Sequence, residues 1–162
     1  MAVVSSHSEV EVTGINVTLP RGVSSLHVLR KMSHCGHDLL CVIPSSRWDV
    51  AEAANDLHGS PPEVASRVRH GAFLINAELF EHGFFSISAA EAAVMDPQQR
   101  QLLERGYTSL HEAGMSSTTL NGAVVAVNVG QWQSEFDRVL HRTPAGKSVY
   151  ASTGYAMSVT CG

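Results

Sequence analysis

An α/β domain is the fold this sequence predicts, and three stretches carry the expectation. Gly122 to Gly130 (GAVVAVNVG) is an uncharged, β-branched run closed by a glycine at each end, the pattern of a strand buried on both faces of a sheet. Val10 to Leu19 alternates valine, isoleucine and leucine with small or polar residues, the period-two pattern of a strand. Between them, Ser88 to Gly114 holds two helix starts in succession, each signalled by its own capping residues.

In chain order, the first strand is stopped by Pro20 and Gly22. Ser24 to Met32 then places Leu26, Leu29 and Met32 three residues apart, with Ser24 or Ser25 as N-cap, which predicts a short amphipathic helix ending near Gly36. Leu39 to Ile43 is a brief apolar run closed by Pro44. Residues 49–70 read as a surface excursion, rich in Ala, Asp, Glu and Asn, in which Pro61 and Pro62 exclude regular structure locally. Ser88 and Glu91 then start a helix over Ala89 to Met95. Asp96 and Gln99, with Pro97 at the first helical position, start a second one running to Ala113. Leu103, Tyr107, Leu110 and Ala113 set an apolar stripe toward a core, and Gly114 ends the helix as a left-handed cap. After the Gly122 to Gly130 strand, Trp132 to Leu140 reads as helix or ordered loop, Thr143 to Lys147 as a turn, and Tyr155 to Cys161 as a further apolar segment.

Composition narrows the functional classes. Of 162 residues, 44% are apolar and 16% charged, and 11 basic against 15 acidic side chains leave a net charge of -4. That is the balance of one globular unit. It is neither the low-hydropathy profile of a disordered chain nor the basic stripe of a nucleic-acid binder. No stretch approaches the roughly 20 apolar residues of a membrane span, and the N-terminus lacks the order of a signal peptide, so a cytoplasmic location is expected. Cys35, Cys41 and Cys161 are an odd number at no repeating interval and read as reduced thiols.

Motifs in order then resemble a known family. Pro44 followed by Ser45-Ser46-Arg47-Trp48-Asp49 is similar to a P-x-x-R-W-D pattern. Gly71-Ala72-Phe73-Leu74, Leu79-Phe80 and Phe84-Phe85-Ser86-Ile87-Ser88 follow at workable spacing. Met95-Asp96-Pro97-Gln98-Gln99-Arg100-Gln101-Leu102-Leu103-Glu104 is nearly M-D-P-Q-Q-R-L-L-L-E, with Glu112-Ala113-Gly114 in place of E-D-A-G. Thr153-Gly154 and Ser158 resemble a T-G-N-x-x-S step, with Tyr155 replacing the asparagine. Together they resemble the N-terminal part of a β-ketoacyl synthase (ketosynthase), the condensing domain of polyketide and fatty acid synthases. The likeness runs from about Val10 to Gly162. The opening Gly14-Ile15-Asn16-Val17-Thr18-Leu19-Pro20 departs from the family's G-x-x-C-R-x-P and suggests a divergent member.

The resemblance implies a thiolase-like fold, a mixed sheet packed between helices, of which this chain holds most of the first half. It also implies decarboxylative Claisen condensation of an acyl thioester with a malonyl group borne by an acyl carrier protein. That reaction uses a cysteine nucleophile and two histidines. The family's cysteine follows the T-G-N-x-x-S step by roughly 25 residues and the histidines come later, so residues 1–162 are expected to stop short of all three and to be inactive alone. No catalytic, cofactor-binding or metal-ligating residue is therefore expected. Cofactors are expected to be none, the acyl groups riding on the phosphopantetheine arm of the carrier protein, and the complete domain is implied to be a homodimer.

Other readings of single features favour structure. Cys161 lacks D-T-A-C-S-S surroundings and reads as a buried apolar thiol on a helix. His34-Cys35-Gly36-His37 with Cys41 has metal-ligand residue types at a spacing that fits no zinc module. The Met95 to Glu104 motif is explained by helix capping, with Leu102 and Leu103 packing. Arg47 and Trp48 are expected to hold the excursion by a stacked or bidentate contact, and Gly130 and Gly154 to serve turns. Two alternative functions are a non-catalytic docking module from a truncated synthase and part of a partner resembling chain-length factors. Half a core also predicts an uncovered apolar face, and so marginal stability or association.

Overall fold

Helix starts are the best-formed features of the computed structural model, which describes residues 9–55, 59–132 and 135–161. These pack as two compact units, one formed by Val17–Leu79 and the other by the described residues of 1–16 and 80–162. The composition suggested one unit.

In the Val17–Leu79 unit, Ser25 caps helix α1 (Leu26–His34), its hydroxyl accepting from the Val28 N–H, and Gly36 follows the helix at φ 60°. The cap and the end match the expectation, although no α1 residue is buried. Strand β1 (Cys41–Val42) realises the 39–43 run and pairs antiparallel with β2 (His70–Gly71), Cys41 opposite Gly71. The excursion between them is regular where loop was expected. Asp49 accepts from the Ala51 and Glu52 N–H groups at the start of α2 (Val50–Asn55). Pro62 is the first residue of α3 (Pro62–Arg67), with Pro61 as its N-cap. The prolines start this helix because the first-turn N–H groups have no intrahelical acceptor to lose. Val23 and Ile43 are the buried apolar residues here. Arg47 lies over the Phe73 ring at 5.8 Å and donates to the Leu74 carbonyl at 3.4 Å, while Trp48 meets Phe73 edge-on. Arg47 thus sits over a ring, as one of the two expectations had it, whereas Trp48 is edge-on and the contact is not bidentate.

In the other unit, Ser88 accepts from the Glu91 N–H and caps α4 (Ala89–Ala92), which is shorter than the expected run to Met95. Asp96 caps α5 (Pro97–Glu112) by accepting from the Gln98 N–H at 2.7 Å. Ala113 is the C-cap and Gly114 follows at φ 71°, as the sequence predicts. A reciprocal Ser116–Thr119 capping box, not singled out from the sequence, starts α6 (Ser117–Leu120). Helix α7 (Phe136–Leu140) lies within the segment read as helix or loop, a 3₁₀ turn covers Pro144–Lys147, and α8 (Ala151–Gly154) precedes a second 3₁₀ turn at Met157–Val159. Val94, Leu140 and Ala151 form the core, with Phe136, Ala145 and Tyr155 packed against it.

Three expectations about burial are corrected. Residues 122–130 form no ladder, and Val124, Val125 and Val127 are exposed. Val10 to Leu19 likewise forms no strand beyond an isolated bridge of Leu19 to Val23. Its middle instead lies on α5: Asn16 accepts from Arg105 at 3.4 Å, and a Cβ on Gly14 would collide with the Ser109 carbonyl. A β-branched run becomes a strand only where a neighbour takes its backbone bonds, and β1–β2 is the only ladder among the described residues. The α5 stripe is the third case. Leu103, Tyr107 and Leu110 are exposed and the buried residue of α5 is Gln99. Tyr107 packs instead in an aromatic cluster, edge-on to Phe84 at 4.8 Å and to Phe85 at 6.4 Å.

Candidate functional site

Buried polar groups are more informative than exposed apolar ones, and in this chain they gather at one place. Asp96 and Gln99 are 2% and 6% exposed. Both sit at the start of α5, where the first-turn N–H groups need outside partners. The Asp96 carboxylate takes one of these, on Gln98, while the Asp96 N–H donates to the Gly154 carbonyl at 2.6 Å. One turn on, Gln99 Nε2 donates to the Ala156 carbonyl at 3.2 Å, across 57 residues of sequence. The capping explanation of this motif therefore holds for Asp96 and Pro97 and misses what Gln99 does.

The segment so held is itself tightly wound. The Ala156 carbonyl also accepts from the Val159 N–H at 3.0 Å, so both of its lone pairs are used. Farther on, Thr160 donates its hydroxyl to Gln131 Oε1 at 2.8 Å. Gly154 is buried with its Cα against the Val94 backbone, where a Cβ would overlap the Val94 carbonyl oxygen. It is a close-approach glycine at the end of α8 and not a turn glycine. Gly130 has open space about it and lies in no turn.

Beside this junction lies a cleft of about 580 Å³. Apolar groups dominate its wall, among them Ile87, Val94, Leu102, Leu103 and Val127, with Glu91 and Arg105 as its charged members. Leu102 and Leu103 thus face a cleft where packing was expected, and stay 37% and 38% exposed. None of the described residues lining it is a cysteine or a histidine. The wall offers hydroxyls on Ser109, Tyr150, Thr153 and Thr160, beside the Glu91 carboxylate and the Arg105 guanidinium.

The remaining candidates are dispersed. Cys161 is exposed, against the expectation of a buried thiol, because it follows the Met157–Val159 turn and packs into no core. Cys35 is exposed and Cys41 half-buried, and all three are free thiols. Among the described residues no three His, Cys, Asp or Glu side chains converge as a metal site would need. No helix among them is long and apolar enough to cross a membrane.

Comparison with known proteins accounts for the motifs. Residues 7–162 match the family model of the β-ketoacyl synthase N-terminal domain. The polyketide synthase GfsB of Streptomyces halstedii is 35% identical over 165 residues, covering 100% of this chain and 3% of that protein. The pikromycin polyketide synthase component PikAII of Streptomyces venezuelae is 35% identical over 94% of the chain and 4% of its own length. The chain thus spans a small fraction of the curated relatives it matches. Among solved structures, the oxazolomycin ketosynthase domain OzmH of Streptomyces albus superposes with a TM-score of 0.56 at 25% identity, over 68% of this chain and 19% of that one. A ketosynthase from the bacillaene synthase of Bacillus subtilis gives 0.53 at 29% identity, over 66% and 17%. The fold is therefore an incomplete thiolase-like one, and the chain belongs to the β-ketoacyl synthase family, through that family's N-terminal domain.

Proposed function

We propose that this chain supplies the N-terminal part of a ketosynthase that extends an acyl thioester in polyketide assembly. The carrying observation is the match of residues 7–162 to the N-terminal domain, joined to relatives that are polyketide synthases. In the complete enzyme, a cysteine beyond residue 162 takes the acyl group as a thioester. A malonyl unit on the phosphopantetheine arm of an acyl carrier protein loses carbon dioxide, and the resulting carbanion attacks that thioester. Two histidines stabilise the charge that develops. The partners are the carrier protein and a second copy of the complete domain, and the compartment is the cytoplasm. Condensation needs no metal or nucleotide.

On this reading residues 1–162 act as scaffold, and the thiol and the imidazoles of the reaction lie beyond them. The test is to incubate the chain, and separately the complete enzyme, with an acyl thioester and malonyl carrier protein, and to follow the protein and the carrier by mass spectrometry. The chain alone is expected to acquire no acyl adduct and release no extended product, while the complete enzyme yields a β-ketoacyl carrier. Turnover by the chain alone, or none by the complete enzyme, overturns the proposal.

A further inference from the structure

We propose that Gln99 is a positioning residue for the condensation: its side-chain amide fixes the backbone at Ala156, and with it the segment that leads to the nucleophile. The inference rests on the proposed ketosynthase function for the identity of the residues beyond 162, and on geometry for the rest. Three ties act on the short stretch from Gly154 to Thr160. The Asp96 N–H holds the Gly154 carbonyl, Gln99 Nε2 holds the Ala156 carbonyl, and Gln131 Oε1 accepts from Thr160. The first is a backbone bond that only a proline at position 96 would remove, and the third is at the far end. Among the described residues, Gln99 supplies the one long-range side-chain bond to a carbonyl in the middle.

Residue type fits the task. An amide donor 6% exposed on the first turn of α5 has no solvent partner to fall back on, so its removal leaves Ala156 with only its local Val159 bond. The 16 residues of α5 give Gln99 a stiff base, whereas the segment it holds is a four-residue helix followed by a three-residue 3₁₀ turn, with little rigidity of its own. Displacements of about 1 Å in such a lead-in are costly to reactions that depend on near-attack geometry.

The test pairs two measurements on wild type, Gln99→Met and Gln99→Glu. In the 162-residue chain, amide hydrogen exchange over 154–160 is expected to rise about tenfold in Gln99→Met, with α5 amides past its first turn unchanged. Gln99→Glu, which sets a carboxylate against the carbonyl, is expected to exceed it. In the complete enzyme, the rate of nucleophile acylation and kcat are expected to fall at least tenfold, with KM for the malonyl carrier within twofold. Unchanged exchange, or exchange raised uniformly along α5, overturns the proposal, as does a loss expressed in KM alone. A wild-type complete enzyme that does not condense overturns the functional reading, and the exchange data then still decide whether the tie exists.

Discussion

Replacing Gly154 with alanine tests the junction at its tightest point. A Cβ there would overlap the Val94 carbonyl oxygen and lie 2.8 Å from the Val94 carbonyl carbon, both backbone atoms that cannot rotate away. Relief requires α8 to back off from Val94, which lengthens the 2.6 Å bond from the Asp96 N–H to the Gly154 carbonyl. Overpacking in a closed site costs about 1–3 kcal/mol, and a buried N–H left without its acceptor about 1–3 kcal/mol more. Because the bond is lengthened and not lost, the expected total stays below the full sum, at about 2–5 kcal/mol. Gly106 supplies the opposite case in the same protein. It is helical in α5 with open space where a Cβ would stand, so Gly106→Ala is expected to gain about 0.5–1 kcal/mol from helix propensity. In urea unfolding followed by circular dichroism, with a slope of about 2 kcal/mol per molar, the first variant lowers the midpoint by about 1–2.5 M and the second raises it slightly. A neutral Gly154→Ala, or two variants of the same sign, would refute the close packing of α8 on Val94.

Asp96→Ala is expected to destabilise by about 1–2 kcal/mol, since it removes the α5 cap, while Asp96→Asn keeps an acceptor and stays within about 0.5 kcal/mol; thermal unfolding of the two variants decides. In a thiol-labelling time course on the native chain, exposed Cys35 and Cys161 are expected to react first. Half-buried Cys41, whose Sγ contacts the Gly71 carbonyl at 3.5 Å, reacts more slowly. Three equal rates would contradict that placement. Val125→Lys puts a charge on a residue 56% exposed, so stability is expected to change by less than about 0.5 kcal/mol while self-association, read by sedimentation velocity, falls.

Local chemistry in this chain is legible from sequence, and long-range pairing is not. The caps at Ser25, Ser88 and Asp96 and the glycines after α1 and α5 follow from short-range rules, and all five stand where the residues predict. Two further starts obey the same rules without having been expected: Asp49 before α2, and Ser116 with Thr119 at α6. The strand expectations at 10–19 and 122–130 failed because a hydrophobic pattern reports suitability for a sheet and says nothing of whether neighbours are present. The α5 stripe failed for a similar reason. Leu103, Tyr107 and Leu110 share a face, but burial needs a second layer. At the candidate site, motif reading located the start of α5 and the Thr153-Gly154 step separately. Their link through Gln99 and Asp96 spans nearly 60 residues and is hidden because Gln99 already has a local explanation, as the capping partner of Asp96.

The central claim is that residues 1–162 act as the leading part of a condensing enzyme. Sequencing the transcript past the codon for Gly162 tests it most directly. An open reading frame that reaches a cysteine in D-T-A-C-S-S surroundings within about twenty to twenty-five residues, the family spacing from Thr153-Gly154 and Ser158, is the result the account predicts. A stop codon directly after Gly162, or a frame with another residue at the nucleophile position, would contradict it.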